Sequence, residues 1–392
     1  MKIIKLSGRI DSNNAGIVES EISSQLAENP AETPAFDAEN LTYISSAGLR
    51  VLLKAGKKLG AKLDVLNVSD EVYNIFHVTG FTELFRVIKK PREVSTTNFE
   101  MIGGGIFSTV YRASADTIIK VYNKWAVTLA DVDRDRTASR EAFIHGIPTA
   151  IPFEIVRCGQ HYGLVYEMID AQTLAATVRD NPGRLSELSA KSAHLLRKLH
   201  ATEFEPGTFR DGREKLREMI QKPYDMNLIT QDDKEILDGI IDRIPVRNTF
   251  LHTDYNPKNI MVSGDDLILV DIGGAGLGDP IIDLLISYSF FVGLASAKDE
   301  HFRKFHESFM GLSAQTLGSM WDIIMREYFG TSDKDILSRY GETISVYSLL
   351  FMIYVVTLGG QLVSDDERRE ISAGIMEHLR EISGTLKTIE GI

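Results

Sequence analysis

The chain has 392 residues, with 43 Lys and Arg side chains against 55 Asp and Glu side chains, and a single cysteine. That length is sufficient for two or three domains, each with a full hydrophobic core. Hydrophobic residues make up 43% of the chain and charged residues 25%, which excludes a disordered or fibrous protein. The net charge of −12 argues against a general nucleic-acid-binding protein, because phosphate contacts need a basic surface.

The negative charge belongs to one part of the chain. Residues 1–95 contain 12 basic and 12 acidic side chains, whereas the remaining 297 residues contain 31 basic and 43 acidic ones. We therefore expect two parts of different character, joined end to end.

Cysteine content and hydropathy indicate the cellular compartment and whether the chain enters a membrane. The single Cys158 cannot form an internal disulfide, which favours a reducing cytoplasm, and residues 1–10 lack the apolar core and cleavage site of a signal peptide. Residues 343–364 are uncharged and nearly long enough to cross a membrane. Acidic rather than basic residues flank this stretch on both sides, so we expect a buried core helix and no membrane insertion.

Residues 1–88 alternate apolar runs with amphipathic segments. In chain order the pattern predicts a strand at 3–10, a helix through Ile17, Ile22 and Leu26, a strand at 33–39, a helix at 46–60, a strand at 62–68 and a helix at 69–80. This alternation predicts a small α/β layer structure with crossover connections. Residues 89–98 are polar, contain Pro91 and have no periodicity, so we expect a linker there.

From Phe99 onward the pattern changes. Strand-like runs occupy 105–113, 117–123, 153–159 and 162–169, with one helical segment around 134–146, and the chain is mostly helical from about Ser186. A β-rich lobe at 99–170 followed by a helix-rich lobe at 171–392 suggests a cleft that holds a ligand.

Two serines, Ser45 and Ser46, stand where the second helix of the first part begins. A serine at a helix N-terminus caps free N–H groups and contributes about 1 kcal/mol. A phosphorylated serine there would meet the same N–H groups and the positive end of the helix dipole. Spacing alone favours the cap.

Residues 102–120 carry the first two of four motifs that fit one chemistry. Gly103 and Gly105 would let backbone N–H groups approach phosphate oxygens, although a glycine-rich turn has the same pattern. Lys120 lies inside an apolar strand, where an unpaired ammonium is costly to bury. A phosphate contact and a carboxylate partner would explain it. Glu141 is the candidate partner, or else a solvated surface glutamate.

The other two motifs lie in the helix-rich part. Asp254 and Asn259 are five residues apart in a segment that Pro257 keeps from forming a regular helix. A carboxylate at 254 can orient or deprotonate a hydroxyl, and the amide oxygen of Asn259 can bind Mg²⁺. Asp271 ends an apolar strand. Two interpretations are open for it, a second Mg²⁺ ligand or a structural turn residue. The order of the four motifs favours phosphoryl transfer, with His252 holding the loop by hydrogen bonds.

Residues 1–88 resemble the STAS domain found in anti-sigma-factor antagonists. The similarity lies in Gly-Arg-Ile-Asp at 8–11, Asp37 at the end of the second strand, and residues 43–49, 67–69 and 78–81. It implies a possible protein partner and a regulated serine that precedes a small residue and a glycine, which is Ser46. Ser45 stands where the family often has an acidic residue, and phosphate on Ser46 would add about −1.5 to −2 charge.

Residues 100–290 resemble the protein-kinase-like superfamily, in its aminoglycoside and choline phosphotransferase branch. The similarity lies in H-x-D-x-x-x-x-N at 252–259, Asp271, Gly-Leu-Gly-Asp-Pro at 276–280, Asp283 and Leu199-His200, while Ser108 replaces a common third glycine. The resemblance implies a multidomain α/β plus α+β protein, in which a bilobal kinase-like fold with a β-rich N-lobe and a helical C-lobe follows the STAS domain.

The same resemblance assigns roles to residues. It implies that ATP and Mg²⁺ are bound, with Lys120 on the phosphates and Glu141 paired with it. Asp254 would be the catalytic base, and Asn259 and Asp271 would hold Mg²⁺. The backbone of the hinge, residues Glu167, Met168 and Ile169, would meet adenine.

The acceptor remains open among three hypotheses. Asn256 replaces a lysine usual in protein kinases, and only seven residues separate Asp271 from Asp279, which favours a small-molecule acceptor over a docked peptide. The acidic excess favours a cationic acceptor. Alternatively, the chain is a serine kinase that phosphorylates Ser46 on itself or a partner. The covalent link between the two parts would then raise the effective concentration of Ser46 to about the millimolar range. A non-catalytic nucleotide sensor is the third hypothesis, and the intact Asp254 argues against it.

Overall fold

A computed structural model describes residues 2–28, 34–60, 62–105, 107–123, 127–296, 300–358 and 364–382. The chain divides into two compact units. The first comprises residues 1–137 and 151–168, and the second residues 138–150 and 169–392.

The first unit begins with a parallel four-stranded sheet in the order β1-β2-β3-β4. Its elements are β1 (Lys2–Ile10), α1 (Ala15–Glu28), β2 (Pro34–Ile44), α2 (Ser46–Leu59), β3 (Asp64–Val68), α3 (Asp70–Val78), α4 (Phe81–Leu84) and β4 (Arg86–Lys89). The alternation of strands and helices agrees with the sequence pattern. The short α4 and β4 were not predicted, since a single turn and four residues give too little periodicity.

Strand β2 is longer than its sequence pattern indicates. Asp37 is the last residue of β2 that pairs with β3, but the strand continues beside β1 as far as Ile44. Asp37 therefore does not end the strand. Its carboxylate accepts a hydrogen bond of 2.9 Å from the side-chain amide of Asn67, whose φ of 57° is in the left-handed region.

The first unit continues with a second sheet of six strands, in the order β5-β9-β10-β8-β7-β6. Its strands are β5 (Arg92–Glu93), β6 (Glu100–Gly104), β7 (Ser108–Arg112), β8 (Thr117–Tyr122), β9 (Pro152–Cys158) and β10 (His161–Glu167). Helix α5 (Leu129–Ile144) begins in this unit, and its residues from 138 onward belong to the second unit. Strand β5 comes from the segment expected to be a linker, and it pairs in parallel with β9. The Val94 N–H extends this pairing by donating to the Arg157 carbonyl over 2.8 Å.

One face of the first sheet packs against the second sheet and α5. Side chains alternate along a strand, so Phe36 and Val65 pack with the helices of the N-terminal domain, whereas their neighbours Ala35 and Leu66 face the other way. The cluster on that other face comprises Ala35, Leu66, Ile88, Leu129 and Ala130, with the partly buried Ile155 and Tyr162. The first sheet is therefore apolar on both faces because both are covered.

The second unit is mainly helical. Its elements are β11 (Gln172–Thr173), α6 (Leu174–Asp180), α7 (Leu185–His200), β12 (Arg210–Asp211), α8 (Gly212–Asp225), α9 (Gln231–Asp242), β13 (Phe250–Leu251), β14 (Ile260–Ser263), β15 (Asp266–Leu269), β16 (Gly276–Leu277), α10 (Ile281–Tyr288), α11 (Glu300–Met310), α12 (Ala314–Phe329), α13 (Lys334–Leu358) and α14 (Asp365–Ile382). Two three-stranded sheets, β11-β14-β15 and β12-β16-β13, interrupt the helices. The loops that follow β13 and β15 carry the candidate catalytic residues. The expected fold class, a small α/β domain followed by a β-rich part and a helical part, is confirmed.

Helix α13 contains most of the uncharged stretch at 343–364. It is long and apolar enough to cross a membrane by length and composition, although 44% of its most apolar window is buried within the protein. Tyr347, Leu350 and Ile353 of this helix are no more than 2% exposed and belong to the main core. This burial supports the expected core helix. Residues 359–363 lie outside the described part of the chain.

Candidate active site

The loop after β13 fixes the orientation of the Asp254 carboxylate. Thr253 has a φ of 61°, which turns the chain sharply just before Asp254. The amide Nδ2 of Asn259 donates to Asp254 Oδ2 over 2.7 Å, and Nδ2 of Asn256 donates to Oδ1 over 3.0 Å. Both carboxylate oxygens thus accept a hydrogen bond from the same short loop, which holds the carboxylate in one orientation.

A buried network of hydrogen bonds centred on Asp283 supports this loop. Asp283 on α10 is fully buried and accepts from the N–H groups of His252 over 2.8 Å and Thr253 over 2.6 Å. It also lies 3.1 Å from Nε2 of His200, whose Nδ1 lies 2.7 Å from the hydroxyl of Tyr328. Burial would raise the pKa of Asp283, but the contacts with His200 and His252 leave its pKa below the usual value.

His252 has a structural set of contacts. Its Nδ1 accepts from the Asp254 N–H over 3.3 Å, and its Nε2 lies 3.2 Å from the Val270 carbonyl oxygen. Burial lowers the pKa of His252, which favours the neutral ring that this pair of contacts requires. The ring thereby joins the loop of Asp254 to the end of the strand before Asp271.

The electrostatic environment of Asp254 suits proton transfer. Burial, together with the nearby charge of Asp271, raises the pKa of Asp254 to about 7, although Lys215 and the two asparagine amides act in the opposite direction. A general base is most effective when its pKa is near the working pH.

Asp271 and Asn259 are neighbours through the backbone, since the Val270 N–H donates to the Asn259 carbonyl over 3.0 Å. Asp271 has a φ of 63° and is exposed. Asn259 uses Nδ2 to hold Asp254, so Oδ1 is the atom with which it could bind a metal. No group of three or more His, Cys, Asp or Glu side chains that could hold a metal occurs within the described ranges. One carboxylate and one amide oxygen suit Mg²⁺, which takes its remaining ligands from phosphate and water.

Lys215 is a charged residue of this site that the motifs did not indicate. It lies on α8, and its Nζ donates to the hydroxyl of Thr253 and, over 3.0 Å, to the carbonyl of Gly274. Burial lowers the pKa of Lys215, and the charges of Asp254, Asp283 and Asp271 oppose that effect. The available sequence signal was a lysine three residues after Gly212 and beside Leu216, on the buried stripe of an amphipathic helix.

The glycine segment and Lys120 lie in the first unit. Gly103 and Gly104 pair with β7, and the Gly105 N–H donates to the Ser108 carbonyl over 2.9 Å. A Cβ at Gly105 would meet nothing within 4 Å, so the packing of the fold does not require a glycine there. Lys120 is half-buried in the middle of β8, with its Nζ 5.3 Å from the centre of the Tyr122 ring.

Glu141 lies on a helix, as expected, whereas the strand expected at 162–169 ends at Glu167, so Met168 and Ile169 follow it. Glu141 is half-buried on α5, and the same helix is bound to β8 by the Tyr122 hydroxyl, which donates to Asp135 over 2.7 Å. Glu167 ends β10, and its side chain accepts from the Ile151 N–H over 2.8 Å. The Met168 N–H donates to the Asp116 carbonyl over 2.8 Å, so it is already used within the fold.

In the N-terminal domain the two serines have different environments. Ser45 is the N-cap of α2, and its Oγ accepts from the N–H groups of Ala47 over 3.2 Å and Gly48 over 3.5 Å. Gly48 lets the helix approach closely, because a Cβ there would lie 2.7 Å from side-chain carbons of Ile10 and Ile44. Ser46 is exposed, so its hydroxyl is accessible from solvent.

Family comparisons agree with both parts of this arrangement. Residues 99–310 match the phosphotransferase enzyme family, and residues 1–94 match the STAS domain. The first match covers more than half of the chain, which therefore belongs to the phosphotransferase enzyme family and carries a STAS domain at its N-terminal end. The two resemblances expected from the motifs are confirmed.

The N-terminal part is also similar to a curated protein. It is 33% identical over 103 residues to BtrV, a proposed anti-sigma factor antagonist of Bordetella bronchiseptica, in a match that covers 26% of this chain and 87% of that protein. The STAS domain is thus related to the anti-sigma factor antagonists.

Solved structures with a similar fold are more distant. The amicoumacin kinase hAmiN in complex with AMP-PNP, Ca²⁺ and Ami has 14% identity and a TM-score of 0.48, covering 78% of this chain and 92% of that chain. A choline/ethanolamine kinase family protein from Mesorhizobium loti has 19% identity and a TM-score of 0.46, covering 74% and 89%. The ADP-bound aminoglycoside phosphotransferase APH(2'')-Ib has 16% identity and a TM-score of 0.45, covering 72% and 92%.

Proposed function

We propose that this protein transfers the terminal phosphoryl group of ATP, with Mg²⁺, to a hydroxyl group of a small molecule. The observation that carries the proposal is the Asp254 carboxylate, held by two amide donors and raised in pKa to about 7. A carboxylate with these properties can orient a hydroxyl and accept its proton.

In this mechanism Asp254 accepts a hydrogen bond from the acceptor hydroxyl. As the acceptor oxygen bonds to the terminal phosphorus, its proton passes to Asp254, and the bond from phosphorus to the bridging oxygen of ADP breaks. Asn259 and Asp271 would hold Mg²⁺, which supplies positive charge to the phosphate oxygens. Asn259 would therefore have two tasks, since its Nδ2 orients the base and its Oδ1 would bind the metal.

The proposed nucleotide contacts come from the β-rich part. The backbone at Gly103 and Gly105 would cover the phosphates, and the Lys120 ammonium would bind them, with Glu141 as its carboxylate partner. The Glu167 carbonyl and the Ile169 N–H would meet adenine, because the Met168 N–H is already bonded within the fold.

The acceptor is proposed to be small and cationic. The short segment between Asp271 and Asp279 supports a small molecule, since it offers no long surface for a peptide. The acidic excess of residues 96–392 supports a cation, because a region of one sign attracts the opposite charge. The STAS domain would couple this activity to a protein partner, and a reducing cytoplasm suits the unpaired, half-buried Cys158.

The exposed Ser46 supports a second candidate function, phosphorylation of the STAS domain by the kinase-like part of the same chain or of another copy. Ser45 already caps α2, so a phosphate on Ser46 would not remove that cap.

The direct test is ADP release from Mg²⁺ and ATP, measured with a panel of cationic, neutral and anionic alcohols and amines. We expect at least one cationic alcohol to raise turnover above the ATP-only rate, and Asp254→Asn to abolish that increase. If Asp254→Asn turns over the same acceptor at the wild-type rate, the proposed mechanism is wrong. A preference for anionic alcohols would reject only the proposed charge of the acceptor.

A further inference from the structure

Lys215 connects two parts of the active site that are far apart in sequence. From α8 its ammonium binds the hydroxyl of Thr253, directly before Asp254, and the carbonyl of Gly274, three residues after Asp271. Thr253 itself donates to the same Gly274 carbonyl over 2.6 Å. One ammonium group therefore joins the loop of the proposed base to the turn of the proposed metal ligand.

The hydrogen-bond partners of Lys215 are neutral, so they do not balance its charge. The negative charges that act on it are those of Asp254, Asp283 and Asp271, and Arg210 is the cation that opposes them. Asp283 is already engaged by His200 and by two backbone N–H groups. Asp254 makes the largest of these charge contributions, Asp283 the next and Asp271 the third. Lys215 thus interacts electrostatically with both carboxylates of the proposed reaction.

We propose that Lys215 is a positioning residue of the phosphotransfer site, which holds Asp254 and Asp271 together and offsets their mutual repulsion. The inference rests on the proposed function for the roles of those two carboxylates. Lys215 lies in none of the motifs and on a different element from Asn256, the position at which protein kinases usually carry a lysine.

This role has an effect on metal binding that a purely structural role lacks. A lysine ammonium near Asp271 repels a divalent cation. In a Lys215→Met variant the asparagine and Asp283 contacts still hold the loop of Asp254, so loss of the ammonium charge should strengthen metal binding. Turnover should fall, because the turn of Asp271 is no longer tied to the loop of the base. If Lys215 only maintains the loop, its removal should disorder the ligands and weaken metal binding.

The experiment uses the full chain with ADP and Mn²⁺ as the probe for the metal site. Binding of Mn²⁺ in saturating ADP is measured by calorimetry for wild type, Lys215→Met and Lys215→Arg. We expect Lys215→Met to bind Mn²⁺ roughly three- to tenfold more tightly and Lys215→Arg to bind it as wild type does. Turnover should fall at least tenfold in Lys215→Met and less in Lys215→Arg, with the KM for ATP nearly unchanged.

Lys198→Met is the matched control. Lys198 also donates to a glycine carbonyl, that of Gly146, over 2.9 Å, but it is exposed and lies on α7. This variant should match wild type in both measurements. Weaker or unchanged Mn²⁺ binding in Lys215→Met would overturn the inference. Because that result does not depend on an acceptor, it is distinguishable from a failure of the proposed reaction, which the Asp254→Asn comparison detects.

Discussion

The side-chain amide of Asn259 donates to Oδ2 of Asp254 over 2.7 Å, while the amide of Asn256 donates to the other oxygen over 3.0 Å. The two asparagines make similar contacts with the proposed base, but only Asn259 lies beside the turn of Asp271. In the proposed mechanism both asparagines orient the base, and Asn259 alone of the two also binds the metal.

The first prediction compares Asn256→Ala with Asn259→Ala. Each variant loses two hydrogen bonds to Asp254, one to a carboxylate oxygen and one to the backbone carbonyl. We expect the loss of the bond to the charged carboxylate to remove about 1.5–3 kcal/mol of stabilisation of the loop. Both should therefore turn over ATP and acceptor more slowly. Only Asn259→Ala should also need a higher Mg²⁺ concentration for half-maximal rate, as measured by titrating Mg²⁺ at saturating ATP. Equal Mg²⁺ requirements in the two variants would remove Asn259 from the metal site.

The second prediction concerns acid stability through His306 on α11, which is 3% exposed. Burial lowers the pKa of His306 to about 4, against smaller opposing contributions from the Phe290 backbone and from Glu307. In the unfolded chain this histidine becomes protonated below about pH 6.5, whereas in the folded chain it becomes protonated only below about pH 4. Stability should therefore decrease by up to about 3 kcal/mol as the pH falls through this window.

Urea unfolding at pH 7.5 and pH 4.5 measures this loss, with His306→Leu as the comparison. The variant should lose less stability than wild type between the two pH values. An identical pH dependence in both proteins would show that His306 does not cause the effect.

The third prediction distinguishes the two serines of the STAS domain. If the chain phosphorylates its own STAS domain, labelled phosphate from ATP should enter the wild-type protein and be absent from Ser46→Ala. Ser45→Ala should remain labelled but lose about 1 kcal/mol of stability, because it removes the cap of α2. Turnover of a small acceptor without any label in the protein would eliminate self-phosphorylation.

The fourth prediction concerns the packing of the STAS domain on the β-rich part of the first unit. Leu66 is 5% exposed in the cluster that also contains Leu129 of α5. Leu66→Lys places an ammonium in that contact and should loosen it, at a cost of several kcal/mol. Limited proteolysis should then cut within residues 89–98 faster than in wild type. Ile17→Lys, at a side chain 63% exposed on α1, should be cut at the wild-type rate, and equal cleavage in all three proteins would contradict the prediction.

The secondary structure of residues 1–80 and the pairing of Asp254 with Asn259 follow from short, local sequence patterns. Periodicity indicated the strands and helices of residues 1–80, because helix and strand patterns repeat every few residues. The five-residue spacing of Asp254 and Asn259 suffices to bring their side chains together, since one short loop contains both.

Other features depend on contacts between distant segments, which no local pattern reports. Strand β5 forms within an expected linker because β9 offers it unpaired backbone groups. Asp283 supports the loop of Asp254 from about thirty residues away. Lys215 reaches the site from a helix without any motif. The sequence by itself thus determined the two domain families and the main catalytic candidates, while only the tertiary structure decided which distant charges surround Asp254 and Asp271, because electrostatic interactions depend on distance in space.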